Sequence, residues 1–198
     1  VYPSNRLELG MPLVDAIGNN LDNLINNVPE PYRKDAAALP VATDFTLTGA
    51  TVNVPGTEKK AQVGNLTWIC HNLWLQYRFS MDESILRNTL YPTLRRAVNF
   101  YLPFLTEDKS GKLHLKRTYS PEYGTAEDCN YDIALLRWGC NTLLEASRIL
   151  SVDDELILRW KQVAEYLTDY PQDENGMMIG KDVPFSRSHR HYSHLLMF

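Results

Sequence analysis

The residue best suited to acid–base chemistry is Glu122, which lies in a loop bounded by Pro121 and Gly124 and flanked by Tyr119 and Tyr123. Aromatic neighbours lower the local polarity, and a carboxyl group in such surroundings can keep the proton that a general acid must donate at neutral pH. An exposed loop glutamate without a catalytic role is the alternative. The residues alone leave both interpretations open, a general acid at the mouth of a barrel or an exposed loop glutamate.

Three histidines fall within six residues, at His189, His191 and His194, with Arg190 after the first. No glutamate stands between paired histidines, so the segment does not match the helix of a zinc protease. We expect these side chains to donate hydrogen bonds to a polyhydroxylated ligand or to make core contacts, in preference to binding a metal. No metal or cofactor is predicted.

A third group of candidates, Trp68, His71, Asn72 and Trp74, lies near the start of a predicted helix. Aromatic rings stack on the apolar faces of sugars, and polar side chains beside them bind the hydroxyl groups. The alternative is core packing around one hydrogen-bonded histidine, since aromatic residues of helices are usually buried.

Carboxylates cluster at the start of another predicted helix, at Glu127, Asp128 and Asp132. The helix dipole and free backbone N–H groups at that end stabilise negative charge, so we expect ionised capping residues. A catalytic base or a sugar ligand among them is the alternative.

Hydrophobic periodicity predicts the helices that must position these groups, while Thr, Gly and Pro mark extended or loop segments. Helices are expected over residues 7–27, from Asn65 to about 80, over 83–105 with a break at Tyr91 before Pro92, from the acids that follow Thr125 to about 150, and from the cap at 151–154 to about 168. Extended or loop structure is expected over residues 40–62, a short extended piece over 112–115, an irregular loop over 117–124, and two short strands around the turn at 173–176. Capping boxes are expected to begin at Ser80, Thr125 and Ser151.

Composition restricts the class of protein. The chain has 198 residues, 44% hydrophobic, and a formal net charge of −4, which fits one domain or a large piece of one and gives no basic surface for nucleic acid. No apolar run approaches the roughly 18 residues that span a bilayer. The three cysteines, Cys70, Cys129 and Cys140, lack the spacing of a zinc site or disulfide framework and are expected to be buried apolar residues.

Several segments together resemble family 95 of the glycoside hydrolases, the α-L-fucosidase and α-L-galactosidase group. They are residues 64–70 with Trp74 and Tyr77, residues 90–92 with 99–102, the Ser-Pro-Glu sequence at 120–122, and the His-Arg-His sequence at 189–191 followed by Ser-His-Leu at 193–195. The resemblance spans most of the chain. It implies a mainly α fold that is part of an (α/α)6 barrel.

The resemblance also implies roles for single residues. Glu122 matches the general acid of an inverting reaction, and His189 and His191 match sugar contacts; we expect Trp68, His71 and Tyr123 to contact the sugar as well. The family usually has Asn after Ser-Pro-Glu, where this chain has Tyr123, which leaves the preferred sugar open. A non-catalytic carbohydrate-binding or scaffolding domain is the alternative.

The resemblance places the catalytic base and its activating asparagines outside residues 1–198, which we therefore expect to form a single partial domain. A barrel of this type needs about twelve helices, and the pattern predicts about half of them. Apolar residues from Leu195 to the C-terminus favour the same interpretation, because they ordinarily continue into a packed helix. We expect the segment to self-associate through exposed core surface.

The parent is expected to be a periplasmic or secreted bacterial protein acting on an oligosaccharide or polysaccharide, without nucleic-acid or membrane partners.

Overall fold

The computed structural model describes residues 2–196, and its regular structure is mainly helical, as predicted. The helices are α1 (Met11–Asn19), α2 (Leu21–Asn26), α3 (Asn65–Ser80), α4 (Glu83–Ile85), α5 (Tyr91–Asn99), α6 (Asn130–Leu150) and α7 (Ile157–Tyr166). A π-helical turn, Leu86–Leu90, joins α4 to α5, and short 3₁₀ turns occur at Leu7–Gly10, Tyr32–Asp35, Leu102–Phe104 and Ser193–Leu195.

The described strands form three small antiparallel hairpins. They pair β1 (Leu105–Glu107) with β2 (Leu113–Leu115), β3 (Thr118–Ser120) with β4 (Gly124–Ala126), and β5 (Gln172–Asp173) with β6 (Gly176–Met177). The first two hairpins lie between α5 and α6 in the chain, and β3 contacts α6.

Helix α6 lies at the centre of the core and packs against α3, α5 and α7. Its predicted apolar stripe is confirmed, since Ile133, Leu136, Cys140 and Leu143 are all fully buried. Burying a large apolar side chain contributes about 1.5–3 kcal/mol, so this helix is a main source of stability. At Gly64, beside the start of α3, an added Cβ would lie 2.5 Å from the Tyr131 ring, so only glycine permits this approach of α3 to α6.

Several predicted boundaries are confirmed. Helix α3 begins at Asn65, α6 ends at Leu150, and Tyr91 marks the break ahead of Pro92. Proline lacks an N–H group and crowds the preceding turn, which fits the wide π turn immediately before it.

Two predicted helices are shorter than expected. The first is divided at Asn20, whose backbone leaves the helical region and whose side-chain amide donates to the carbonyl of Ala16 at 2.8 Å. The second ends at Asn99, because the chain turns through Leu102–Phe104 and enters β1 at Leu105.

The three predicted capping boxes are wrong in detail. Asp82, and not Ser80, caps α4 by accepting from the Ser84 N–H at 2.9 Å. Thr125 lies in β4 and pairs with Tyr119 of β3. Helix α6 therefore begins only at Asn130, and it has no side-chain cap.

Ser151, the start of the third predicted box, ends α6 in a left-handed conformation. Asp154 accepts from the Leu156 N–H at 3.0 Å, just ahead of α7. The N-cap position of α7 is Leu156, which makes no side-chain capping hydrogen bond, so the predicted box does not cap this helix.

The three cysteines are free and buried, as predicted. Within residues 2–196, no helix is both long enough and apolar enough to cross a membrane. Of the C-terminal apolar stretch, Leu195 ends a 3₁₀ turn, whereas Met197 and Phe198, like Val1, lie outside the described residues.

Candidate active site

Glu122 lies at the turn of the β3–β4 hairpin. The strands pair Thr118 with Ala126 and Ser120 with Gly124, and the Tyr123 N–H closes the turn by donating to the Ser120 carbonyl at 2.9 Å. The prediction of an irregular loop here is therefore wrong, because local strand pairing orders it. The hairpin holds the Glu122 side chain at a fixed place on the surface.

The segment that carries the histidines docks against this turn. The Lys181 N–H donates to the Glu127 carbonyl at 2.8 Å and anchors the segment beside the hairpin. Further along, the Ser193 hydroxyl lies 2.7 Å from the Pro121 carbonyl oxygen and 2.8 Å from the Ser120 hydroxyl. These contacts bring residues about seventy positions apart in the chain into one site.

One carboxylate oxygen of Glu122 makes both of the side chain's polar contacts. Oε2 accepts from the Arg190 guanidinium and lies 3.1 Å from Nε2 of His191. Oε1 has no hydrogen-bond partner among the described residues, and the side chain is half exposed. The polar partners of Glu122 are thus a guanidinium group and an imidazole.

His191 is held in turn by its neighbours. The Arg190 Nε lies 3.1 Å from the His191 Nε2, and the backbone N–H of His191 donates to Nδ1 of His189 at 3.1 Å. Arg190, His191 and Glu122 therefore form one polar cluster with His189 behind it.

A cleft of about 620 Å³ opens in front of Glu122 and His191. Trp68 forms part of its wall; the indole is 43% exposed and meets the Tyr131 ring edge-on at 6.0 Å between centroids. A smaller hollow of about 220 Å³ shares Trp68, Pro121 and His191 with this cleft. The cleft is lined by Val41, Lys60, Gln62, Trp68, Tyr119, Pro121, Glu122 and His191.

Three of the predicted site residues do not line this cleft. The His71 ring lies edge-on to Trp138 at 5.1 Å, between α3 and α6, and burial lowers the pKa of His71. The Tyr123 and His189 rings pack against each other at 5.5 Å. The structure thus brings together Glu122, His191 and Trp68 and places the other three outside the cleft.

Tyr123 contacts the histidine-bearing segment. Its hydroxyl accepts from the Ser186 N–H at 2.9 Å, and the Arg187 guanidinium lies over its ring at 4.6 Å. The hydrogen bonding with Ser186 lowers the pKa of Tyr123. In this arrangement Tyr123 supports the segment that presents His191.

The expectation of an ionised capping residue is wrong for Asp132. This side chain is fully buried in the first turn of α6, where Oδ1 accepts from Tyr101 at 2.9 Å and Oδ2 from Thr118 at 2.6 Å. Burial raises the pKa of Asp132 to about 7, although both hydrogen bonds act to lower it. Desolvation therefore outweighs the favourable position at the helix start.

Asp128 also has a different role from the one expected. It lies ahead of α6, accepts from the Leu115 N–H at 2.7 Å, and contacts Nδ1 of His114 at 2.7 Å. The contacts with Asp128 and Asp108 raise the pKa of His114 against the opposing effect of burial. Asp128 therefore ties the β1–β2 hairpin to α6 and takes no part in the cleft.

Sequence reasoning missed Lys60, Gln62 and Val41 as lining residues. They come from a segment of loop structure, where no periodicity marks which side chains face a site. The Lys60 ammonium lies over the Tyr119 ring at 4.9 Å, and this cation–π contact joins the loop to the hairpin. Glu122 is the only carboxylate among the described residues that line the cleft.

Comparison with known proteins gives a match to a family model and two curated relatives. The model, described as the glycosyl hydrolase family 95 catalytic domain, matches residues 2–198. The chain is 28% identical over 101 residues to "Alpha-L-fucosidase 2" of Arabidopsis thaliana, a match covering 46% of the chain and 12% of that relative. It is 37% identical over 60 residues to "Probable alpha-fucosidase A" of Aspergillus niger, covering 29% of the chain and 8% of that relative. The chain thus matches only a small part of either protein.

Proposed function

The chain belongs to glycosyl hydrolase family 95, whose catalytic domain is an α/α barrel, and from this premise we propose that its parent protein removes terminal α-L-fucosyl or α-L-galactosyl residues from glycans. The names of the two relatives support a fucosyl substrate. The observation that carries the proposal is the position of Glu122, a half-exposed carboxyl group on an ordered turn that faces a cleft with an indole in its wall.

Glu122 is the general acid in this proposal. Its Oε1, which is free of protein partners among residues 2–196, gives a proton to the glycosidic oxygen as the bond from that oxygen to the anomeric carbon breaks. A water molecule attacks the anomeric carbon from the opposite face and gives its proton to a base. In an inverting enzyme that base lies about 6.5–9.5 Å from the acid, which leaves room for the water.

The other cleft residues bind and orient the sugar. The Trp68 indole offers an apolar face for the pyranose ring, and His191 and Gln62 offer hydrogen bonds to hydroxyl groups. Arg190 holds Oε2 of Glu122 and so keeps Oε1 turned away from the cluster. The Lys60 ammonium adds positive charge to the lining of the cleft.

The proposal requires a second carboxylate, and none but Glu122 lines the cleft among the described residues. We therefore propose that this chain supplies the acid and one wall of the site, as a segment of the barrel, and that the base comes from elsewhere in the parent protein. The apolar surface of such a segment would drive self-association, and a monodisperse monomer in light scattering would count against this part of the proposal.

The decisive experiment measures hydrolysis of α-L-fucosyl and α-L-galactosyl disaccharides, whose alkoxide leaving group must be protonated, by the complete protein and its Glu122→Gln variant. General acid catalysis contributes about 10²–10⁴-fold, so the variant should lose activity on that scale. Glu127→Gln is the matched control, because Glu127 is exposed and follows the same hairpin. Activity that survives Glu122→Gln excludes Glu122 as the acid, and NMR of the first-formed sugar anomer tests inversion.

A carbohydrate-binding domain without turnover is the second candidate, favoured by the absence of a second carboxylate among the described lining residues. It predicts that the complete protein binds fucosylated oligosaccharides in calorimetry but hydrolyses none of them. Export to the periplasm or the cell exterior also remains a proposal. The relatives come from a plant and a fungus, so they give no support to a bacterial origin.

A further inference from the structure

A chain of two buried hydroxyl groups joins the turn that carries Glu122 to the segment that carries its partners. Ser193 lies within hydrogen-bond distance of both the Pro121 carbonyl and the Ser120 hydroxyl. A carbonyl can only accept, so Ser193 donates its single hydroxyl proton to Pro121, and its oxygen is left to accept from Ser120. Both hydroxyl protons of this short chain are thereby used.

Both serines are buried, Ser120 completely and Ser193 to more than nine-tenths. Hydrogen bonds in a low-dielectric interior are strong, and a lost partner leaves a buried polar group unsatisfied. The contact therefore fixes the backbone on both of its sides. On one side it fixes the Pro121 carbonyl, which belongs to the peptide unit joining Pro121 to Glu122.

On the other side the contact fixes the residues that touch Glu122. Arg190 and His191, both on the Glu122 Oε2, precede Ser193 by three and two residues. The 3₁₀ turn that begins at Ser193 packs against α6 and is thus tied to the core. A shift at Ser193 moves the carboxylate and its two partners relative to each other.

We propose that Ser193 is a positioning residue, which sets the orientation of the Glu122 carboxyl group towards the glycosidic oxygen without touching the substrate. This inference rests on the proposed role of Glu122 as general acid. A displacement of a catalytic group by about 1 Å can cost about 100-fold in rate, so loss of the Ser193 hydroxyl should impair proton donation. A residue that only stabilises the fold would lower the amount of active protein equally for every substrate.

Leaving groups distinguish these two roles. A 2-chloro-4-nitrophenolate is a stable anion and departs with little need of a proton, whereas the alkoxide of a sugar must be protonated as it leaves. For the complete protein, we expect Ser193→Ala to lower kcat/KM about 10- to 100-fold on a fucosyl disaccharide and less than about 3-fold on the 2-chloro-4-nitrophenyl glycoside. Ser193→Thr keeps the hydroxyl group and should restore most of the disaccharide rate.

Two further variants complete the design. Ser188→Ala removes an exposed hydroxyl from the same segment and should behave as wild type on both substrates. Ser193→Cys keeps the volume with a weaker donor, and replaces Ser193→Ala if that variant fails to fold. Equal losses on both substrates, or no loss on either, would overturn the positioning role.

The Glu122→Gln variant distinguishes failure of the positioning role of Ser193 from failure of the general-acid role of Glu122. If Glu122→Gln shows a strong leaving-group dependence and the Ser193 variants show none, only the role of Ser193 is refuted. If Glu122→Gln shows no such dependence, the general-acid assignment fails and the positioning role fails with it.

Discussion

Asp132 should make the stability of this protein depend strongly on pH. Its carboxyl group is fully buried between Tyr101 and Thr118, and the titratable groups near it, Tyr101, Tyr131 and Cys129, all have pKa values raised by burial and by Asp132 itself. They stay neutral in the pH range where Asp132 titrates. Replacing Asp132 by Asn keeps the shape and the hydrogen-bonding capacity, since an amide can accept from one hydroxyl and donate to the other.

The magnitude follows from the shift of the Asp132 pKa, from 3.8 in the ordinary group to about 7 in the folded protein. Each pKa unit corresponds to about 1.4 kcal/mol, so the protonated form contributes about 4 kcal/mol to the free energy of unfolding. The folded state holds the proton more tightly than the unfolded state. This contribution is therefore complete below about pH 4 and is lost as the pH rises through about 7, with roughly 3 kcal/mol of it lost between pH 5 and pH 8.

The assay is urea unfolding of wild type and Asp132→Asn at pH 5 and pH 8. Relative to wild type, the variant should gain about 3 kcal/mol between the two pH values, because it cannot ionise. Asp15→Asn, at an exposed position of α1, should show no such gain. If the free energies of unfolding of wild type and Asp132→Asn differ by the same amount at pH 5 and pH 8, within about 1 kcal/mol, the raised pKa of the buried carboxyl group is refuted.

Two further substitutions test the packing of the core, each with a control and with the free energy of unfolding as the readout. Gly139→Ala should destabilise the protein by about 1–3 kcal/mol, because the new Cβ would lie 2.6 Å from Val98 Cγ2. Its control, Gly124→Ala, should be tolerated, because no atom lies within 4 Å of the new Cβ. Trp160→Ala should cost about 3–5 kcal/mol, since the indole is fully buried, and Leu158→Ala, on an exposed face of α7, should stay within about 0.5 kcal/mol of wild type. Similar losses for either substitution and its control would show that the core is packed differently.

The long helices were predictable because their apolar residues repeat with the helical period. The stripe from Cys129 to Leu143 indicated α6, and Pro92 indicated the break at Tyr91. The caps were harder, because a capping pattern is only a local preference. At Thr125 the pattern was present, but pairing with Tyr119 across the hairpin took precedence.

The site was predictable in its residue types and not in its contacts. The Ser-Pro-Glu and His-Arg-His sequences pointed to Glu122 and His191, and both line the cleft. Their contact joins residues 69 positions apart in the printed sequence, and no periodicity encodes such a pairing. The raised pKa of Asp132 was missed for a related reason, since its burial depends on Tyr101 from a distant segment.

The anchor at Lys181 gives the site a short tether. Because the Lys181 N–H is held by the Glu127 carbonyl, only about twelve residues of chain must close to bring Ser193 onto Pro121. The length-dependent entropic cost of closing a loop of about twelve residues is about 2 kcal/mol. The stretch between them includes the exposed Ser186, Arg187 and Ser188, so a protease that cuts there would break this tether ahead of Arg190 and His191. After such a cut, the contacts of Ser193 would have to offset the entropic cost that the tether now keeps small.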